Sequence, residues 1–176
     1  MRGLVRNIYL LDERMFLRVF GLNGRQGRDR FFVSVSRSAD GIYYGLLVPL
    51  VFMIDAQLFT TLIPAAAIAF GIELPLYFLL KRFVQRQRPF ESLSGIQFLV
   101  APPDRFSFPS GHTAAAFIIV TLFGFYFPIL FIPLFMWGIL VGFSRVYLGV
   151  HFPGDVIAGM TIGILSARIG LTVMGL

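Results

Sequence analysis

The sequence predicts an all-α membrane protein: a multi-pass transmembrane helical bundle of about five spans, with an N-terminal amphipathic helix at the interface. Apolar residues make up 57% of the 176 residues and charged residues only 14%, whereas a soluble domain carries about 25% charged residues. Between residues 41 and 80 the only charged residues are Asp55 and Glu73. Backbone groups within lipid must be paired inside their own segment, so such stretches are expected to be helical.

The first 38 residues are predicted to be an interfacial N-terminal segment. Apolar residues recur near helical spacing over residues 2–20, and charged residues lie among them. The apolar positions are Leu4, Ile8, Leu11, Met15, Phe16 and Val19. This pattern is typical of a helix that lies in the membrane interface. We expect it to anchor the chain at the surface, with a role in gating lipid access as the alternative. A polar loop with three glycines follows over residues 21–27.

Five apolar stretches after this segment are predicted to cross the membrane, since a span needs about 20 apolar residues. They are residues 36–54, 57–80, 111–127, 129–143 and 155–174. A tight turn at Asp55 separates the first span from the second, and one at Pro128 separates the third from the fourth. A short polar turn over 144–154 precedes the last span. A loop rich in Arg, Pro and Ser follows the second span. We treat residues 1–176 as one membrane-embedded domain.

Composition also limits cofactors and partners. The chain has no cysteine and two histidines, His112 and His151, which excludes thiolate metal sites and disfavours a metal cluster held by the protein. We therefore predict no metal and no cofactor. The net charge of +6 suggests membrane lipids with anionic head groups, and an anionic substrate, as partners. Nucleic acid is disfavoured because the basic residues form no soluble face, and the sequence does not define an oligomeric state.

Three polar motifs fall within residues 81–155. They are Lys81-x6-Arg88-Pro89, Pro109-Ser110-Gly111-His112 and Ser144-Arg145-x5-His151-x3-Asp155. The N-terminus, the loop after the second span and the loop after the fourth span lie on the same side of the membrane, because an even number of crossings separates them. All three motifs are therefore expected to meet on one face.

The motifs offer groups that can bind and transfer a phosphoryl group. Three cations can neutralise phosphate oxygens, and arginine can bind two oxygens at once. Ser110 and Gly111 begin an apolar helical run, where free N–H groups and the helix dipole form an anion site. Gly111 also allows close approach of the backbone. Phosphoryl transfer needs mainly positioning and charge neutralisation, which these groups can supply without a metal.

The two histidines supply the nucleophile and the acid. The four-residue spacing of His151 and Asp155 would bring them to one face of a helix. A carboxylate at one ring nitrogen fixes the tautomer and leaves the other nitrogen free to attack. His112 could then protonate the departing alkoxide.

Together the motifs resemble the signature of the type 2 phosphatidic acid phosphatase superfamily, which includes bacterial lipid phosphatases, undecaprenyl-diphosphate phosphatases and the vanadium haloperoxidases. Every motif position is present without substitution. The resemblance implies a metal-independent membrane enzyme that hydrolyses a phosphomonoester or diphosphate on a lipid. Undecaprenyl diphosphate, phosphatidate, phosphatidylglycerol phosphate and lipid A phosphates all fit. The apolar composition favours the lipid phosphatases over the soluble haloperoxidases.

The resemblance also implies a role for each motif residue. His151 would be the nucleophile that becomes a phosphohistidine, and Asp155 would orient it. His112 would be the general acid for the leaving group and later the base for water. The remaining residues would bind the phosphate or stabilise the transition state: Lys81, Arg88, Arg145, Ser110 and the amide of Gly111.

Two other functions use the same motifs. A lipid-to-lipid phosphotransferase would pass the phosphoryl group to a second lipid instead of water, and product analysis separates it from a hydrolase. A non-catalytic protein that binds or transports lipid phosphates would be expected to lose its histidines or Asp155 first, and this chain retains them.

Other charged residues are assigned weaker roles. The span ends carry arginines that we expect to anchor the chain at the interface by snorkelling, namely Arg82, Arg86, Arg105 and Arg168. Glu73 lies within the second span, where an ionisable group is a functional candidate. Pairing with a cation on a neighbouring helix is an equal alternative for Glu73.

Two arguments conflict over the membrane face of the site. Of the 15 Lys and Arg residues, all except Arg168 fall on the motif side, which the positive-inside rule places in the cytoplasm. However, similar compact bacterial enzymes of the resembled family work on the outer face of the plasma membrane, and several of these cations are needed by the substrate. We favour a bacterial plasma membrane with the site on the extracytoplasmic face.

Overall fold

The structure is a computed structural model that describes residues 2–176, with side chains described from residue 6 onward. Within that range it is all-helical, which confirms the predicted fold class. The helices are α1 (Arg2–Phe20), α2 (Gln26–Arg37), α3 (Gly41–Ile54), α4 (Ala56–Val84), α5 (Pro89–Ser92), α6 (Gly111–Tyr126), α7 (Phe131–Tyr147) and α8 (Pro153–Val173). A 3₁₀ turn at Pro128–Leu130 precedes α7. The side chain of Leu4 lies outside the described residues.

The centre of the bundle is formed by α4, α6 and α8, which all pack against one another, while α7 lies on α6 and α3 lies on α4. Buried apolar side chains from α3, α4, α6 and α8 form the main core cluster. Its members are Val51, Leu62, Ala65, Ala69, Ile118, Leu122, Ala167 and Leu171. Half of these side chains are Ala or Val, so the helices can approach closely, as is usual in membrane bundles.

Several helices have the character of membrane spans. α4, α8 and the segment Pro128–Tyr147 are long and apolar enough to cross a bilayer. α3 and α6 are also apolar but have only 14 and 16 residues, fewer than the ~20 of a full span. Large apolar side chains point outward, with Met53 exposed by 82% and Ile129 by 87%. The chain is therefore an integral membrane protein, and the number of five spans stays a prediction.

Two predicted span boundaries are wrong. The first span was predicted to begin at Ser36, but Ser36 belongs to α2, and α3 begins only at Gly41. The fourth was predicted to end at Phe143, but α7 continues to Tyr147. Arg145 therefore lies in the last turn of a helix rather than in a polar turn, a position where the helix dipole favours a cation.

The N-terminal segment contains two helices rather than one. α1 is not only a surface helix: Phe16 is fully buried and packs edge-on against Phe152, with ring centroids 5.4 Å apart. α2, which the sequence analysis missed, packs against α7 through Phe32, whose ring lies 4.2 Å from that of Tyr147. Both helices thus cover the end of the bundle that carries the motifs.

Candidate active site

The three motifs meet at one end of the bundle. Lys81 lies in the last turn of α4, His112 in the first turn of α6, and His151 in the loop between α7 and α8. A backbone bond joins the second motif to the third, since the Ser110 N–H donates to the Asp155 carbonyl at 3.0 Å. All eight predicted site residues lie at this end, in agreement with the parity of the predicted crossings.

His151 and Asp155 face each other at the start of α8. They do not share a helix, as the four-residue spacing suggested, because α8 begins at Pro153. Instead, one oxygen of Asp155 accepts the Phe152 N–H at 2.8 Å, and this bond turns the carboxylate back toward the loop. The same oxygen lies 3.5 Å from Nδ1 of His151. This separation is longer than a good hydrogen bond, as is common at catalytic pairs without substrate.

Burial controls the charge of His151, whose side chain is only 4% exposed. Burial lowers the pKa of His151 to about 3, against the opposing effect of the Asp155 carboxylate. The imidazole is therefore uncharged at neutral pH. Since Nδ1 faces Asp155, the Nδ1–H tautomer is favoured, and Nε2 is left with a free lone pair.

Arg86 connects this pair to helix α1. Its guanidinium donates to the free oxygen of Asp155 at 2.8 Å and to Asp12 of α1 at 2.6 Å. The guanidinium also lies 4.1 Å from the centre of the Phe152 ring. Asp12 in turn accepts the Gly154 N–H at 2.7 Å. The interpretation of Arg86 as an interface anchor is therefore wrong: it is a mostly buried cation between two carboxylates.

Asp104 holds two of the predicted phosphate ligands together. One of its oxygens accepts from Lys81 Nζ at 2.8 Å and from Arg88 Nη2 at 2.7 Å. Burial raises the pKa of Asp104, but hydrogen bonds from Lys81 and Tyr77 outweigh that effect and hold it below its ordinary value. Arg88 also donates to the carbonyl of Val150 at 2.7 Å. Asp104 thus stays ionised and holds the two cations side by side. The bond from Arg88 to Val150 places them near His151, the next residue after Val150.

Arg145 is buried to 2% exposure in the last turn of α7. Its Nη1 donates to the Ser36 hydroxyl of α2 at 2.6 Å. Its Nε has no hydrogen-bond partner among the described residues. A buried donor without a partner is costly, so this N–H is available to an anion.

Ser110 and Gly111 form the start of α6, as predicted. The Ser110 hydroxyl does not cap the helix but lies 2.9 Å from the Thr113 hydroxyl. The first N–H groups of a helix have no partner within it, which agrees with a predicted anion site. Gly111 has a packing role as well, because a Cβ there would lie 2.8 Å from the Tyr77 ring.

His112 has a carboxylate partner that the sequence analysis did not assign. Its Nε2 lies 3.0 Å from Oδ1 of Asp40, the residue before α3. Asp40 could have been found, because the predicted crossings put it on the motif face and a general-acid histidine needs an acceptor. No such feature of the sequence pointed to the roles of Arg86, Asp12 and Asp104. Each of them resembles an ordinary charged residue at the membrane interface.

A groove opens beside His112 between α3, α4 and α6, with a volume of about 470 Å³. We call it the lateral groove. Its polar side chains are those of Asp40, Tyr44, Glu73, Tyr77 and His112. Apolar side chains, among them Phe70 and Leu74, line the rest. The groove runs from the motif end of the bundle along the apolar part of α4.

Comparison with known proteins identifies relatives over most of the chain. A family model described as the PAP2 superfamily matches residues 47–175. The crystal structure of LpxE from Aquifex aeolicus aligns with a TM-score of 0.79 and 31% identity, covering 90% of this chain and 93% of that one.

Two curated relatives are named for different activities. The decaprenylphosphoryl-5-phosphoribose phosphatase of Mycobacterium tuberculosis is 37% identical over 89 residues, which cover 48% of this chain and 46% of that protein. The undecaprenyl-diphosphatase of Sulfolobus acidocaldarius is 38% identical over 102 residues, covering 54% of this chain and 47% of that protein. The aligned region thus spans about half the length of these curated relatives.

Proposed function

This chain belongs to the PAP2 superfamily, and on that premise we propose that it is a membrane lipid phosphatase that works through a phosphohistidine. The observation that carries the proposal is the buried, uncharged His151, whose Nδ1 faces Asp155 and whose neighbour Val150 accepts a hydrogen bond from Arg88. The substrate is a phosphomonoester or diphosphate on a lipid, whose tail can stay in the bilayer while the phosphate lies among Lys81, Arg88 and Arg145.

In the first step Nε2 of His151 attacks phosphorus. A P–N bond forms while the P–O bond to the leaving group breaks, and the departing oxygen takes a proton from the imidazolium form of His112, which becomes the uncharged imidazole. Since Nε2 of His112 is held by Asp40, Nδ1 is the nitrogen that faces the substrate. Asp155 stabilises the positive charge that develops on His151, as the carboxylate does in other nucleophile–base arrangements.

In the second step water attacks phosphorus and gives its proton to His112. The P–N bond breaks, inorganic phosphate leaves, and His151 returns to its uncharged state. Lys81, Arg88, Arg145 and the first amides of α6 neutralise the phosphoryl oxygens in both steps, which is the main requirement of phosphoryl transfer.

We also propose that the site opens on the extracytoplasmic face of a bacterial plasma membrane. The ion pairs of the site support this face, because they weaken the argument that its positive charge places it in the cytoplasm. Arg86 and Arg88 are engaged in ion pairs at the site, so catalysis rather than topology accounts for their presence.

The test is phosphate release by the purified protein in detergent. The substrates are undecaprenyl diphosphate, farnesyl diphosphate, phosphatidate, phosphatidylglycerol phosphate and lipid A. We expect release in the presence of EDTA, inhibition by vanadate, and loss of turnover in His151→Ala, with an unfolding temperature near that of the wild type.

Three outcomes would contradict the proposal. Near-wild-type activity of His151→Ala would reject the phosphohistidine. Inhibition by EDTA that added Mg²⁺ reverses would reject the metal-free reaction. Release only when a second lipid acceptor is added, with the phosphoryl group found on that lipid, would indicate a phosphotransferase.

A further inference from the structure

We propose that the lateral groove is a subsite for the leaving group, and that it takes a neutral alcohol carrying further hydroxyl or N–H donors, such as a glycerol or a sugar. The inference rests on the proposed phosphatase function and narrows its substrate class. It favours phosphomonoesters of such alcohols over lipid diphosphates, whose leaving group carries a second phosphate.

The position of the groove matches the path of the leaving group. His112, the proposed acid for the departing oxygen, lines the groove together with Tyr77 and Glu73. Residues 73, 77 and 81 lie on one face of α4, because they are four residues apart. At 1.5 Å per residue, Glu73 lies about 12 Å along the helix from Lys81. The Lys81 side chain extends toward Tyr77, with Nζ 4.8 Å from the ring centre, so a group joined to a phosphate at Lys81 would point along α4 toward Glu73.

Two buried polar groups in the groove have no partner among the described residues. Glu73 is 2% exposed and makes no hydrogen bond or ion pair with any residue from 6 onward. The Tyr44 hydroxyl is fully buried and unpaired as well. Burying an unpaired polar group within lipid is costly. A ligand with hydroxyl or N–H groups would satisfy both, since a carboxyl group offers an acceptor oxygen in either protonation state.

The charges around the groove disfavour a second phosphate. Its lining includes the carboxyl groups of Asp40 and Glu73 but no Lys or Arg among the described residues. Lys81 and Arg88 lie at the motif end of the groove, where Asp104 holds them. A diphosphate bound with one phosphate at these cations would bring the other toward the carboxyl groups of Asp40 and Glu73, which repel it.

The experiment compares kcat/KM for three lipids that differ in the leaving group. Lysophosphatidate leaves a neutral alcohol with a further free hydroxyl, phosphatidate leaves a neutral alcohol without one, and farnesyl diphosphate leaves a phosphate. We expect the wild type to prefer them in that order. Glu73→Leu should lower the ratio of the first lipid to the second about ten- to a hundredfold, the effect of a lost hydrogen bond to a charged group. Tyr44→Phe should lower it about two- to tenfold.

Asp55→Asn is the matched control, because it removes a carboxylate from the same helix at the end far from the groove; it should keep the wild-type ratio. The subsite would be rejected if farnesyl diphosphate were the best substrate, or if Glu73→Leu and Tyr44→Phe lowered all three activities equally. Glu73→Met, which has a similar side-chain size and no oxygen acceptor, tests the subsite if the leucine variant fails to fold. If the wild type released phosphate from no lipid, the phosphatase function itself would fail.

Discussion

Arg86 shows how a single side chain can join distant parts of this chain. It bonds to Asp155, which is 69 residues away, and to Asp12, which is 74 residues away. Only the fold brings these groups together, so no local pattern in the sequence could assign them. The residues that could be assigned from the sequence, such as His151 and His112, belong to compact motifs in which the spacing itself indicates the chemistry. The role of Asp104 could not be predicted for the same reason, because its partners lie on other segments of the chain.

We expect Arg86→Gln to lower kcat about ten- to a hundredfold with little change in KM, because a hydrogen bond between charged groups is lost and Asp155 is held less firmly. The variant should also move the acid limb of the pH–rate profile upward. Removing a cation beside Asp155 strengthens its effect on His151, which raises the pKa of the imidazole from about 3. Steady-state kinetics from about pH 2.5 to pH 8 would measure both effects.

Arg82→Gln is the control for Arg86→Gln, since Arg82 is exposed and lies four residues earlier, in the last turn of α4. It should leave kcat and the pH profile near those of the wild type. Equal losses in the two variants, or an unchanged acid limb in Arg86→Gln, would mean that Arg86 stabilises the fold without tuning His151.

At the scale of helices, the contact between α6 and α8 sets the distance between the second and third motifs. A Cβ on Gly163 would overlap the carbonyl oxygen of Ala114, and one on Gly159 would overlap that of Ser110. The two helices can therefore touch backbone to backbone. The apolar runs made the existence of α6 and α8 predictable. Their close contact was not predictable, because the glycines of α8 are also compatible with a lipid-facing helix.

Gly163→Ala should therefore push α8 away from α6 and lower the free energy of unfolding by about 1–3 kcal/mol, the usual cost of overpacking. Activity should fall with it, since Ser110 and Asp155 would separate. Gly71→Ala is the matched control: nothing lies within 4 Å of a Cβ at Gly71, and alanine is the better helix former. Thermal unfolding in detergent would compare the two, and equal stability of both variants would contradict the close packing.

The segment before α3 shows what the hydrophobic pattern could not resolve. α1 and α2 carry apolar residues at helical spacing, but arginines surround them, and the pattern suits a membrane interface as well as a protein surface. The pattern therefore did not show which faces of α1 and α2 are buried. In the structure, Phe16 packs beside the loop after His151, and Ser36 accepts a hydrogen bond from Arg145. The interfacial position of α1 remains a prediction, whereas its packing on the site is a property of the structure.

On the scale of the whole molecule, the motifs, α1, α2 and most cations gather at one end, so the orientation of the chain decides which compartment the site faces. Positive charge alone would place this end in the cytoplasm. The ion pairs of Arg86, Arg88 and Lys81 remove these residues from that argument. The exposed arginines of α1 and α2 still favour a site in the cytoplasm. The membrane face of the site must therefore be measured directly.

The absence of cysteine makes that measurement possible with single substitutions. Ser94→Cys places a thiol on the exposed loop beside the motifs, and Gln57→Cys places one on the exposed first turn of α4, at the opposite end. We expect a membrane-impermeant maleimide to label Ser94→Cys in intact spheroplasts and Gln57→Cys only after lysis. The reverse pattern would place the site in the cytoplasm. Lipid phosphates of the inner leaflet would then be its substrates, and the exposed arginines of α1 and α2 would be topology signals.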